Sequence, residues 1–121
     1  MKTLARRSKP NTRLETPEFQ HPLTFVANQL HLTASVSELE TLRYTPSGIP
    51  ALNSRLEHVS EITEAGQVRQ VKAMMKSVAF GAVAEQLARQ DVGSSWNFKG
   101  FVATPRGAKH LVFHIQEFAK E

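Results

Sequence analysis

RYTPSGIPALNSRLEHVSEITEAGQVRQVKAMMK, residues 43–76, is the stretch that decides the fold. It begins with a loop, Tyr44-Thr45-Pro46-Ser47-Gly48-Ile49-Pro50, whose two prolines and one glycine exclude a helix and favour a fixed bend. From Ala51 to Val59, Leu52, Leu56 and His58 share one parity, and Asn53, Arg55 and Glu57 share the other. That period of two is the pattern of a half-buried strand, interrupted on its apolar face by Ser54. Glu64-Ala65-Gly66-Gln67 supplies a turn in which the glycine is free to take positive φ, and Val68 to Lys76 returns as a second strand. There Val71, Ala73 and Met75 point one way, and Gln70, Lys72, Met74 and Lys76 the other. The hairpin therefore has one apolar face and one mixed, cationic face.

Outward from the hairpin, Leu30, Leu32, Ala34 and Val36 alternate with Gln29, His31, Thr33 and Ser35, which predicts a first strand over Leu30 to Val36. Together with the hairpin it makes a three-stranded meander. After Ser77 the spacing of Val78, Ala82, Val83 and Leu87 lengthens to three to five, and a short helix from about Ala82 to Gln90 is expected, ending at Gly93. Gly81 is a blemish in that pattern. Ser95 to Ala103 and His110 to Phe118 read as fourth and fifth strands around the turn-rich, basic segment Thr104-Pro105-Arg106-Gly107-Ala108-Lys109.

Composition bounds what such a chain can be. At 121 residues it is one domain of ordinary size, and without cysteine it has no disulfide or cysteine-zinc framework. That absence fits a reducing compartment. No apolar run approaches the ~18 residues of a membrane span, and the N-terminus lacks the apolar centre of a secretory signal. A cytoplasmic protein with no membrane segment is expected. The net charge of +4 is unevenly spread: residues 1–21 hold five Lys or Arg against two Glu, whereas the other hundred hold ten against nine. Global charge is thus a poor guide, and the question is whether the cations of the body collect on one face. Residues 1–27, basic, proline-containing and poor in large apolar side chains, are expected to form a flexible basic arm ahead of a folded domain at 28–121.

The element order β-β-β-α-β-β is that of a mainly β, five-stranded Greek-key OB-fold barrel with one short helix between strands three and four. In such a barrel the central strands and two loops, here 44–50 and 104–109, form the ligand face. If strands two and three pair, Arg55 faces the same side as Lys72 and Lys76, with Arg43, Arg106 and Lys109 approaching from the flanking loops. A groove lined this way tracks phosphates, and rings within it would stack bases. Tyr44, beside Arg43, either stacks on a base or covers the barrel mouth. Trp96, Phe98 and Phe113 are expected in the core, and Phe80 as packing at the strand–helix junction.

No catalytic constellation emerges. His110 and His114 lie four apart on a strand, too far at ~3.3 Å per residue for easy chelation of one metal. Glu57 and His58 point to opposite faces. There is no phosphate-binding glycine loop and no Ser-His-Asp order, so neither an enzyme nor a cofactor or metal is expected.

Asn28-Gln29-Leu30, Ser47-Gly48-Ile49-Pro50, Leu56-Glu57-His58, Glu64-Ala65-Gly66, Arg69-Gln70 and Gly100-Phe101, in that order, resemble the primosomal replication protein N (PriB) family. The resemblance covers Asn28 to Phe118, and Ser77 to Phe101 is also similar to bacterial single-stranded DNA-binding proteins. It implies a homodimeric OB-fold that binds single-stranded DNA and docks onto the primosomal helicase, among other primosome proteins, in replication restart. It also implies a DNA face made of cations on the first long loop, strands two and three, and the loop between strands four and five. Arg43 stands where the family has a lysine. Lys72 stands where a family pattern has an exposed tryptophan, Val59 replaces a cation, and Arg106, Lys109 and His110 replace several lysines of a longer loop. Two other functions fit the same barrel: a general single-stranded DNA-binding protein, and a protein-interaction module with weak DNA affinity. The first alternative typically carries a flexible acidic tail, whereas this sequence stops at Ala119-Lys120-Glu121, directly after strand five.

Overall fold

The computed structural model describes residues 26–121, so the expected basic arm lies outside the described residues except for its last two positions. The elements are β1 (Leu30–Leu39), β2 (Arg43–Tyr44), β3 (Pro50–Glu64), β4 (Gln67–Phe80), α1 (Ala82–Ala88), β5 (Ser95–Ala103) and β6 (Val112–Ala119). Among the described residues, no helix is long and apolar enough to cross a membrane.

The five long strands close into a barrel. β1 pairs antiparallel with β3 on one side and β5 on the other. β5 pairs antiparallel with β6, and β6 runs parallel to β4, which returns to β3 through the hairpin. The expected meander is therefore present, and the parallel β4–β6 contact closes the circle that it leaves open. At the hairpin turn Ala65 and Gly66 have φ of 53° and 78°. Positive φ at both central residues is the two-residue turn whose twist matches that of the flanking strands.

Alternation along the strands fills the interior. Val36, Leu52, Leu56, Phe98 and Phe113 are fully buried, and α1 closes one end by inserting Ala84 and Leu87. Trp96, half-buried, packs edge-on against Phe118 at 5.2 Å and donates its indole N–H to Ser94 Oγ at 2.9 Å. Ser54, the interruption in the apolar face, is buried against its cross-strand partner Ser77, and the two hydroxyls lie 2.5 Å apart. Each serine thus satisfies the other in an otherwise dry wall.

Several boundaries differ from the sequence reading. Both hairpin strands are longer than Ala51–Val59 and Val68–Lys76, because the β3–β4 ladder runs on to Phe80 through Ser77, Val78 and Ala79, which are buried one after another rather than alternately, and residues 61–64 remain paired although exposed on both faces. Gly81 is not a flaw inside a helix: its φ of 76° makes the corner between β4 and α1. The helix stops at Ala88 rather than Gln90, tightening into i→i−3 bonds from Arg89 to Gln86 and from Gln90 to Leu87. Arg43 and Tyr44, read as loop, pair with Ala51 and Pro50.

At the start of β1, the Asn28 amide extends the ladder beyond the backbone. Its Nδ2 donates to the Val102 carbonyl at 2.8 Å, and the Val102 N–H donates to its Oδ1 at 3.0 Å. His58 ties β3 to β1: Nδ1–H donates to the Thr33 carbonyl at 2.6 Å, and Nε2 accepts from the Ser60 hydroxyl at 2.8 Å. This histidine is held as a structural link, which agrees with the expectation that it forms no pair with Glu57.

Candidate nucleic-acid interface

Cross-strand partners point to the same side of a sheet, so the register fixes which side chains share the outer face of β3 and β4. One row runs Arg43, Ala51, Phe80. The next runs Asn53, Val78, His114, Phe101, crossing four strands. A third runs Glu38, Arg55, Lys76. Apart from Ala51 and Phe101, the residues of these rows line a groove of about 680 Å³, edged by Glu40 on the segment before β2 and by Ala103, Pro105 and Val112 on the opposite side. Of the two loops that the sequence pointed to, 104–109 borders it through Pro105, whereas no residue of 44–50 lines it.

Three of the candidate cations meet there: Arg43, Arg55 and Lys76 all line the groove. Arg43 Nη2 donates to Asn53 Oδ1 at 3.3 Å, and Asn53 Nδ2 donates to Glu40 Oε1 at 3.5 Å, so the Asn53 amide bridges a cation and a carboxylate. Arg55 Nε stands 3.7 Å from Glu38 Oε1. Lys76 makes no ion pair among the described residues. Two carboxylates beside three cations leave the groove only weakly positive.

The remaining candidates are distributed around this site. Lys72, opposite Val59, is on the same face as Lys76 but four residues further along β4, about 13 Å away. Arg106 and Lys109 are exposed on the 104–111 loop; Pro105 of that loop lines the groove, and they do not. Tyr44 departs from the group. Its partner Pro50 puts it on the opposite side from Arg43, and it is 61% exposed and off the groove.

Among the lining residues that sequence reading missed are Glu38, Glu40, Asn53, Phe80 and His114. Asn53 already shared parity with Arg55. Phe80, expected as packing, keeps 44% of its surface exposed and stacks on His114 instead. The signal for it was the even spacing Lys72, Lys76, Phe80, hidden because the sequence reading ends that strand at Lys76. No group of three or more His, Asp or Glu residues is placed to hold a metal among the described residues.

A family model described as "Another single-strand binding protein family" matches residues 28–117. The replication restart protein PriB of Bordetella pertussis is 38% identical over 91 residues, 74% of this chain and 85% of the relative. The protein of the same name from Nitrosomonas europaea is 31% identical over 74% of this chain and 84% of its own. Among solved structures, PriB from Ralstonia solanacearum superposes with a TM-score of 0.72 at 35% identity, covering 78% of this chain and 98% of that one. The single-stranded DNA-binding protein of Thermus aquaticus, at 21% identity and a TM-score of 0.62 over 77% of this chain and 49% of that one, shares the fold. Sequence, barrel closure and these likenesses agree that the chain belongs to the PriB family of single-strand binding proteins, which are not enzymes.

Proposed function

We propose that the chain binds single-stranded DNA along the outer face of the β3–β4 hairpin and serves as an accessory of replication restart. The convergence of Arg43, Arg55 and Lys76 on one groove, with Lys72 continuing the row, carries this reading. A flexible phosphodiester chain is held by such a row through charge, without base sequence being read. Arg106 and Lys109, exposed on the 104–111 loop, are assigned to the approaching strand from the rim, and the exposed Tyr44 ring to a strand that continues past the groove onto the other side of β2. The names of the relatives, all replication restart proteins, support the biological setting.

A symmetric homodimer and a contact with the primosomal helicase belong to the same proposal. Among the described residues, the backbone of Leu30 to Ala34 has no strand partner on the side away from β5, where only His58 reaches the Thr33 carbonyl, and β3 beyond Glu57 has no strand neighbour but β4. Such edges call for cover, and a second copy related by a two-fold axis supplies it. Light scattering should give twice the mass of one chain at micromolar concentration; the mass of a single chain removes the dimer. Co-sedimentation with the primosomal helicase tests the other contact.

Labelled poly-thymidine titrated at two salt concentrations tests DNA binding. With four engaged cations the slope of log affinity against log salt should be about −3, at −0.7 per phosphate. Arg43→Ala with Lys72→Ala should flatten it. Unchanged tight binding by that double variant at low salt would reject this face. Glu38 and Glu40 in the groove favour one second reading, an interaction module with weak DNA affinity, which predicts helicase binding with no measurable strand binding.

A further inference from the structure

We propose that Glu40 is a positioning residue of the groove: through the Asn53 amide it holds the Arg43 guanidinium ready for a phosphate, so that a carboxylate aids the binding of a polyanion. The inference rests on the strand-binding reading of the groove and gives its two glutamates opposite roles.

Glu40 lies on the segment between β1 and β2, and its backbone N–H donates to the Asn53 carbonyl of β3 at 3.0 Å. That bond fixes Glu40 beside the residue whose side chain it also meets, since Asn53 Nδ2 donates to Glu40 Oε1 at 3.5 Å. At the other end of the amide, Asn53 Oδ1 accepts from Arg43 Nη2 at 3.3 Å. All three residues line the groove. An asparagine amide has a donor end and an acceptor end, and turning it over would set its NH2 group against a guanidinium, which has donors only. The carboxylate, which has acceptors only, therefore dictates which way the amide faces, and the amide dictates where the guanidinium rests.

Arg43 needs such support. It is exposed, stands on a strand of 2 residues, and makes no ion pair among the described residues. Holding a long side chain in one rotamer before the DNA arrives removes part of the entropy cost of binding. A neutral amide does this without cancelling the charge, and it engages one edge of the N–H fork, leaving the rest for a phosphate. Glu38 provides the contrast. Its Oε1 stands 3.7 Å from Arg55 Nε, so there a carboxylate faces a cation directly and competes with phosphate for it. Glu40 also repels the strand by its charge, and its hydrogen bond has to be measured apart from that repulsion.

Glu40→Gln and Glu40→Ala remove the same charge, but only the glutamine variant keeps an oxygen for Asn53 Nδ2. The full chain carrying each substitution is titrated with oligothymidine over a range of salt. The glutamine variant should bind at least as tightly as the parent. The alanine variant should bind about three-fold more weakly than the glutamine variant, in a ratio that does not change with salt. Glu38→Gln and Glu38→Ala should bind alike, because the carboxylate there acts through charge alone. With Arg43→Ala in the background the Glu40 ratio should disappear, since the effect passes through that guanidinium, whereas a role in folding alone would persist. Equal affinity of the two Glu40 variants, the same ratio at Glu38, or a ratio that survives Arg43→Ala overturns the positioning role while the cationic groove stands. If Arg43→Ala by itself leaves affinity unchanged, Arg43 does not meet the strand and the positioning role falls with it. Failure of the parent to bind oligothymidine overturns both the role and the groove.

Discussion

Arg55 and Lys76 are direct cross-strand partners on the outer face of the hairpin, and the carboxylate of Glu38 stands 3.7 Å from Arg55 Nε on the far side of the pair. Like charges placed opposite one another on a sheet destabilise it, by up to about 1 kcal/mol. Their retention within a groove is a local conflict of the kind that binding sites keep. Lys76→Ala should therefore raise the unfolding free energy by about 0.5 kcal/mol while reducing strand affinity. Urea denaturation alongside salt titration checks both signs, and loss of stability in this variant would count against the repulsion.

Glu38 should act in the opposite sense. Glu38→Gln removes the partner of Arg55, so oligothymidine should bind about two- to three-fold tighter at low salt, with the difference vanishing as salt screens it. The fold should lose no more than about 0.5 kcal/mol, since both groups of this pair are solvent-exposed. Weaker binding by the glutamine variant would mean that Arg55 does not meet phosphate.

Gly100 permits the close approach of β5 to β6. A Cβ built there would overlap the carbonyl oxygen of His114 and touch the ring of Phe113. The register shift between Lys99 and Gly100 falls at the same point. Gly100→Ala must push backbone against backbone, at a cost of at least about 2 kcal/mol, and should lower the melting midpoint by about 10 °C or more. Calorimetry would show it; a melt like the parent's would mean that the strands separate there freely.

Ser54 and Ser77 form the polar pair within the barrel wall. The Ser77 hydroxyl also reaches the Ser54 carbonyl at 3.2 Å. Ser77→Ala strands the Ser54 hydroxyl in a buried setting, costing about 1–3 kcal/mol, whereas removing both hydroxyls removes the need as well as the bond. The double variant should be less destabilised than the sum of the singles, which a denaturation cycle measures directly.

Ala65 carries left-handed backbone, φ 53°, without being glycine. That conformation costs an ordinary L-residue about 1–2 kcal/mol, and asparagine tolerates it better. Ala65→Asn should stabilise the hairpin by about 0.5 kcal/mol without altering strand affinity, because the turn lies beyond the groove. Thermal melts of the two proteins would detect the gain.

The sequence by itself determined the local elements and the sidedness of each. Period two in residues 30–36, 51–59 and 68–76 follows from the pleat of a strand with one dry face, so the meander, the turn at Ala65-Gly66, and the common side of Arg55, Lys72 and Lys76 were legible in the order of residues. Only the tertiary structure decided what lies beside what. Alternation says which residues share a face of one strand; it says nothing of which strand comes next, and the parallel seating of β6 against β4 is set by closure of the barrel, with bulges after Val36 and Lys99 adjusting the register. For that reason Arg55 was readable as a cation of the groove while Glu38 as its counterweight was not. Phe80 and His114 are 34 positions apart in the chain, and they became one surface only when β6 docked alongside β4.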